Sequence, residues 1–82
     1  MIALTIYSRP GCHLCDDMKD LVRRVIGPMS GVTLTEVDIS RDAELERQYG
    51  LDIPVLLVDG RKAAKIRVTE AELRRVLEGR RA

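Results

Sequence analysis

The chain has 82 residues, and its 14 basic and 13 acidic side chains leave a net charge of +1. This length predicts one domain over residues 1–82, with a thin core. The balanced charge and ordinary apolar content exclude a nucleic-acid-coating chain and a disordered one. No apolar run approaches the ~18 residues of a membrane span, and the N-terminus does not resemble a signal peptide. We therefore expect a cytoplasmic protein that binds neither nucleic acid nor membrane.

The first half of the sequence predicts the order β-α-β-α. Residues 2–7 have the alternation and the β-branched content of a strand. An amphipathic helix starting at or near Cys12 is predicted from apolar residues at helical spacing, namely Leu14, Met18, Leu21, Val22 and Val25. Residues 32–39 predict a second strand, after which Ser40 can cap a short helix that ends at Gly50.

The second half begins with two strands joined by a tight turn. Residues 54–58, PVLLV, form a continuous apolar run, which is typical of a central strand buried on both faces. The dipeptide Asp59-Gly60 then indicates a two-residue hairpin leading into residues 61–68. These two strands are expected to pair as antiparallel neighbours.

A last helix closes the predicted architecture. Thr69 and Glu72 have the spacing of a capping box, and the apolar side of the helix that follows carries Leu73, Val76 and Leu77. The resulting order, β-α-β-α-β-β-α, predicts an α/β sandwich. Its first crossover is expected to be right-handed and to join parallel strands.

Cys12 and Cys15 are the chain's two cysteines, and this order puts them at the N-terminus of the first helix. Backbone N–H groups and the helix dipole favour a thiolate there, so Cys12 is the expected nucleophile. Cys15 lies one turn further on and is placed to attack a mixed disulfide on Cys12. In a reducing compartment such a pair points to redox or metal chemistry more than to a structural disulfide.

Charged neighbours bear on the reactivity of the first thiol. Arg9, three residues before Cys12, would favour the thiolate, whereas Asp16 and Asp17 would oppose it. His13 is either an exposed first-turn residue or a charge that tunes Cys12, and the sequence leaves both open.

Metal binding is the main alternative. A closed zinc site needs four ligands, and the chain offers no second ligand pair, so we expect no metal in a single chain. An iron-sulfur cluster bridging two chains through Cys12 and Cys15 remains an alternative to a monomeric redox protein. A redox-inert docking module is a third possibility.

The stretches IYSRPGCHLC and DIPVLLVDG resemble the glutaredoxin-like branch of the thioredoxin superfamily, and the resemblance covers nearly the whole chain. It implies a thioredoxin-like sandwich with a four-stranded mixed sheet. It also implies a thiol-disulfide oxidoreductase that acts on a protein disulfide or a low-molecular-weight one. In that pattern Pro54 is a cis-proline across from the dithiol, and the backbone of Ile53 binds the cysteinyl segment of the substrate. Arg9 takes the place of a substrate-binding lysine.

Two departures from the family concern glutathione. Glutaredoxins typically carry Pro-Tyr between the cysteines, where this chain has His13-Leu14. Their Gly-Gly and Asp, which receive the γ-glutamyl end of glutathione, are replaced by KIRVTEAE, in which Thr69 and Glu72 compete for the helix N–H groups. We therefore predict weak glutathione dependence, no required cofactor, and electrons supplied by a thioredoxin-type reductase.

Overall fold

The computed structural model describes residues 1–81 and contains four strands, three α-helices and one 3-10 turn. In chain order these are β1 (Ile2–Ser8), α1 (His13–Ile26), β2 (Val32–Asp38), the 3-10 turn (Ile39–Arg41), α2 (Ala43–Tyr49), β3 (Val55–Val58), β4 (Arg61–Lys65) and α3 (Glu70–Arg81). The predicted β-α-β-α-β-β-α order is confirmed.

The four strands form one mixed sheet in the order β2-β1-β3-β4. Strands β1 and β2 are parallel, as expected for two strands joined through a helix. Strand β3 is antiparallel to both β1 and β4. The central strands are therefore β1 and β3, and the N-terminal end of β3 lies at the same sheet edge as the C-terminal ends of β1 and β2.

The main core lies between one face of the sheet and helices α1 and α3. It is built from alternate residues of β1 and β3 and from one stripe of each helix, namely Ile2, Leu4, Ile6, Leu56, Val58, Met18, Val22, Val25, Leu73 and Leu77. Burying each such side chain stabilises the fold by about 1.5–3 kcal/mol relative to exposure. On the opposite face Tyr7 packs on Tyr49 of α2, with ring centroids 4.9 Å apart.

The turn between β3 and β4 has the predicted hairpin geometry. Asp59 and Gly60 both have positive φ, 49° and 84°, as a two-residue turn between antiparallel strands requires. The Asp59 carboxylate accepts a hydrogen bond from the backbone N–H of Ala3 and pairs with Arg80. These two contacts, the first being the stronger, lower the pKa of Asp59 below its usual value.

Two predicted boundaries were wrong. Asp42, and not Ser40, is the N-cap of α2, because its carboxylate accepts from the backbone N–H groups of Glu44 and Leu45. Ser40 instead lies in the 3-10 turn, where its N–H donates to Asp38.

Strand β4 also ends three residues earlier than predicted, at Lys65 rather than at residue 68. The cause is Ile66, which turns the chain with a φ of 69° and donates its N–H to the carbonyl of Pro54 at 2.7 Å. The segment that follows is therefore a loop leading into α3, and it is tied to the start of β3.

An ion-pair network joins β1, β2 and α1 beside the loop that follows β1. Glu36 accepts from the buried hydroxyl of Ser8 at 3.1 Å and pairs with Lys19, which also contacts Asp16 at 3.2 Å. The Lys19 bond is the largest cause of a lowered pKa at Glu36, and the same bond raises the pKa of Lys19.

We predict that Glu36→Gln lowers the free energy of unfolding near pH 7 by about 0.5–1 kcal/mol, because the pair is partly exposed. The folded-state pKa of Glu36 lies below its reference value of 4.5, so its contribution is present above that pH and is lost as pH falls through the folded pKa. Urea unfolding near pH 7 and near pH 3 should therefore show a smaller difference between variant and wild type in acid.

The matched control is Glu44→Gln, which removes the same charge from α2, where Glu44 pairs with Arg47 of its own helix. It should not reproduce the acid-dependent difference. An equal loss of stability for Glu36→Gln at both pH values would contradict the assigned role.

Candidate active site

The two cysteines lie where β1 gives way to α1. Strand β1 ends at Ser8, and after three intervening residues the chain reaches Cys12, which is the N-cap of α1. Gly11 has a φ of 80°, a backbone conformation that favours glycine, and the Cys12 N–H donates to the carbonyl of Arg9 at 3.3 Å. This tight loop holds the first sulfur at the start of the helix.

Cys12 and Cys15 are joined by a disulfide, with their Cα atoms 5.2 Å apart. The backbone N–H of Cys15 also donates to the Cys12 sulfur at 3.1 Å. A sulfur in this position receives one of the helix N–H groups that have no partner within the helix. The same contact would stabilise a Cys12 thiolate after reduction.

The two sulfurs differ in access to solvent. Cys15 is 1% exposed and belongs to the buried stripe of α1, whereas Cys12 is partly exposed at the N-cap. A substrate from solution can therefore reach Cys12 and not Cys15. The order of attack, with Cys12 first, stays a prediction.

The Ile53-Pro54 peptide bond is cis, as the family resemblance implies. Val55 pairs with Tyr7, so the preceding Pro54 lies at the same edge of the sheet as the end of β1. Pro54 is buried and its carbonyl is used by Ile66, while Ile53 is partly buried and precedes the sheet pairing of β3. The predicted site residues of this segment thus lie at the edge that carries the dithiol.

The other two predicted residues occupy different settings. His13 is the first residue of α1 and is exposed, which agrees with the simpler of its two interpretations. Arg9 is not an open cation, because its guanidinium forms an ion pair with Glu46 and donates to the carbonyl of Gly50 at 3.2 Å. Neither partner was predictable from the residues near Arg9, because Glu46 and Gly50 lie 37 and 41 residues further along the chain.

The N-terminus of α3 is closed by the predicted capping box. The Thr69 N–H donates to the Glu72 carboxylate at 2.9 Å, and the Glu72 N–H donates to the Thr69 hydroxyl at 3.1 Å. The bond from the Thr69 N–H is the main cause of a lowered pKa at Glu72. The capping box thus uses the Glu72 N–H and places the Glu72 carboxylate at this helix end.

A groove of about 320 Å³ runs between α1 and the loop before α3. Leu14 and Ile66, both substantially exposed, contribute to its lining. Leu14 was expected on the buried side of α1, but it lies in the first turn and borders this groove instead. The helical spacing of Leu14 gave no signal of that exposure.

Among residues 1–81, no group of three or more His, Cys, Asp or Glu side chains could hold a metal ion. Over the same residues, no helix is both long and apolar enough to cross a membrane.

A mixed sheet with a disulfide-linked CxxC at the first helix and a cis-proline at the same edge defines the thioredoxin-fold class of protein. The family model for the Glutaredoxin-like domain (DUF836) matches residues 3–78. The chain belongs to this glutaredoxin-like family.

Individual relatives agree with this membership. The chain is 32% identical over 79 residues to "Glutaredoxin-like protein YDR286C homolog" of Dictyostelium discoideum, covering 88% of this chain and 71% of that protein. The X-ray structure of protein XcR50 from X. campestris superposes with a TM-score of 0.78 at 35% identity, covering 93% of this chain and 96% of that one.

A more distant likeness concerns the fold alone. The solution structure of reduced desulfothioredoxin from Desulfovibrio vulgaris Hildenborough has a TM-score of 0.73 at 20% identity, covering 95% of this chain and 80% of that one. The thioredoxin-like architecture expected from the sequence is confirmed.

We predict that iodoacetamide alkylates Cys12 of the reduced protein on the order of tenfold faster than Cys15, because only Cys12 is both accessible and at the helix end. Peptide mapping by mass spectrometry after short labelling near pH 7 measures the two rates. Cys12→Ser and Cys15→Ser provide the single-thiol controls. Faster labelling of Cys15 would reverse the assignment.

Proposed function

We propose that this protein is a thiol-disulfide oxidoreductase, with Cys12 as the nucleophile and Cys15 as the resolving thiol. The observation that carries the proposal is the pairing of an accessible sulfur at a helix N-cap with a buried sulfur one turn later. Membership of the glutaredoxin-like family supports it. A cytoplasmic setting is part of the proposal, because thiols are kept reduced there.

The first step is attack of the Cys12 thiolate on one sulfur of a substrate disulfide. The substrate S–S bond breaks, one substrate thiolate leaves and takes up a proton, and a mixed disulfide forms between Cys12 and the other half. The Cys15 N–H holds the Cys12 sulfur at 3.1 Å in the oxidised form, and it would stabilise the attacking anion in the same way.

The second step is attack of deprotonated Cys15 on the Cys12 sulfur. The second substrate thiolate leaves, and the Cys12–Cys15 disulfide forms, so that two electrons pass from the protein to the substrate. The disulfide-linked state has its Cα atoms 5.2 Å apart, within the usual range for such a bond. A thiol or dithiol reductant, which we propose to be a thioredoxin-type reductase, restores both thiols.

Ile53 and Pro54 are the proposed docking segment for the substrate. Ile53 precedes the first sheet pairing of β3, so its main chain lies outside the ladder and at the dithiol edge. An extended cysteinyl segment could pair with it as an added strand. Leu14 and Ile66 would then offer apolar surface to the neighbouring part of the substrate.

Weak dependence on glutathione forms part of the proposal. At the helix end that receives the γ-glutamyl carboxylate in glutaredoxins, this chain has the Thr69–Glu72 capping box, which uses the Glu72 N–H and adds a negative charge. Losing a charge-assisted contact of this kind costs ~1.5–3 kcal/mol, or roughly ten- to a hundredfold in affinity.

Replacing Cys15 by Ser should trap mixed disulfides on Cys12, because the resolving thiol is gone. Replacing Cys12 by Ser should reduce exchange by about a hundredfold or more, because the buried thiol cannot reach the substrate. Non-reducing electrophoresis and intact-mass measurement with a model disulfide peptide would show both effects. Retained exchange in Cys12→Ser would contradict the mechanism.

The glutathione dependence is tested with a glutathionylated peptide. Turnover driven by glutathione and its reductase should be about tenfold or more below that driven by a dithiol reductant. Fast glutathione-driven turnover that survives Cys15→Ser would make the protein a typical glutaredoxin and contradict this part of the proposal. A coloured, cluster-containing dimer from anaerobic purification would favour the iron-sulfur alternative.

A further inference from the structure

Arg9 lies on the loop that precedes the proposed nucleophile, Cys12, and its positive charge is paired with a carboxylate of the same chain. Its guanidinium pairs with Glu46 of α2 and donates to the Gly50 carbonyl at 3.2 Å. Both charged side chains are partly exposed, at 38% and 39%. An arginine in this position would otherwise present its planar fork to a substrate carboxylate.

The Arg9–Glu46 pair packs tightly against Gly50 at the end of α2. A Cβ at Gly50 would lie 2.5 Å from the Glu46 carbonyl oxygen and 3.1 Å from the Arg9 guanidinium, so a larger residue would force the pair to shift. The second carboxylate oxygen of Glu46 is buried and has no hydrogen-bond partner among the described residues. Glu46 thus bonds Arg9 through its other oxygen, and the same guanidinium nitrogen of Arg9 also bonds the Gly50 carbonyl.

The groove beside Arg9 carries further charged groups. Arg9 lines it on the loop side of α1, together with the acidic residues Asp16, Glu36 and Asp38 and with Lys19. The charges of Arg23 and Arg41 also act on this group, because they help to lower the pKa values of Glu36 and Asp38 respectively. The carboxylates around Arg9 are therefore compensated by cations of the chain itself, and Glu46 is the one that pairs with Arg9.

We propose that Glu46 is a specificity-determining residue. It lowers the reactivity of the dithiol towards disulfides that carry carboxylates near the reacting sulfurs. By occupying Arg9 it leaves the site suited to uncharged or basic disulfide substrates. This inference rests on the proposed oxidoreductase function. The effect of Glu46 on anionic substrates is separate from that of the capping box at the N-terminus of α3.

The test measures oxidation of the reduced protein by small disulfides in single turnover. Each reaction converts the protein dithiol and one disulfide into the protein disulfide and two free thiols, which are quantified by mass spectrometry after acid quenching. The probes are glutathione disulfide, which is anionic, bis(2-hydroxyethyl) disulfide, which is neutral, and cystamine, which is cationic.

Glu46→Gln should raise the rate constant for glutathione disulfide, relative to that for the neutral probe, by about three- to tenfold. The ratio for cystamine should fall. Both changes should shrink at high salt, since the attraction between exposed charges is screened. Adding Arg9→Gln to Glu46→Gln should abolish the gain, because the unpaired cation is its cause.

Glu44→Gln is the matched control, because it removes the same charge from the same helix but the Glu44 carboxylate pairs with Arg47. Its substrate ratios should equal those of the wild type. Glu46→Ala provides a second variant, and circular dichroism checks that each variant is folded.

An unchanged ratio in both folded Glu46 variants, with the neutral probe still oxidising the wild type, would overturn this inference and leave the proposed function standing. Wild-type protein that no probe oxidises would overturn both.

Discussion

The hydrogen bond from the Cys15 N–H to the Cys12 sulfur is the contact on which the site depends. It makes a side-chain sulfur the N-cap of α1, so the first turn of the helix and the redox pair are one structure. The helix in turn needs β1 and its loop to deliver Cys12 to this position, and its buried stripe to place Cys15 inside the fold. The partial exposure of Cys12 at the helix end and the burial of Cys15 follow from the same packing.

Groups near the dithiol that could bind a substrate carboxylate are instead paired with carboxylates of the chain itself. Two positions that could receive carboxylates are already satisfied internally, since Glu46 pairs with Arg9 and Glu72 caps the end of α3. Each contact also stabilises the fold locally, by holding α2 against the active-site loop or by starting α3. If the protein acts as proposed, the contacts that stabilise the fold would also restrict which substrates it accepts. Leu14 and Ile66, by contrast, leave apolar surface exposed to solvent, where a substrate could bind.

Features of the fold that depend on local chemistry were predictable from the sequence. The Asp59-Gly60 turn and the Thr69–Glu72 capping box each involve residues at most three positions apart, and both have the expected geometry. The cap of α2 was misassigned because Ser40 and Asp42 are both good N-cap residues, and the sequence does not reveal that Ser40 is taken up by a 3-10 turn that ends just before Asp42.

Long-range contacts were not predictable in the same way. Arg9 and Glu46 are 37 residues apart, and nothing in the sequence near either residue indicates that they meet. The exposure of Leu14 likewise depends on the loop before α3, which leaves a groove against the first turn of α1. The candidate cysteines could be found from spacing, but the charge environment around them required the packed structure.

The most direct test of the redox mechanism is an equilibrium titration of the purified protein in buffers of graded thiol-to-disulfide ratio, quenched in acid and analysed by intact mass. We predict one two-electron transition, in which the loss of two protons marks formation of the Cys12–Cys15 disulfide and a dithiol reductant reverses it. Two cysteines that remain alkylatable at every ratio would contradict it.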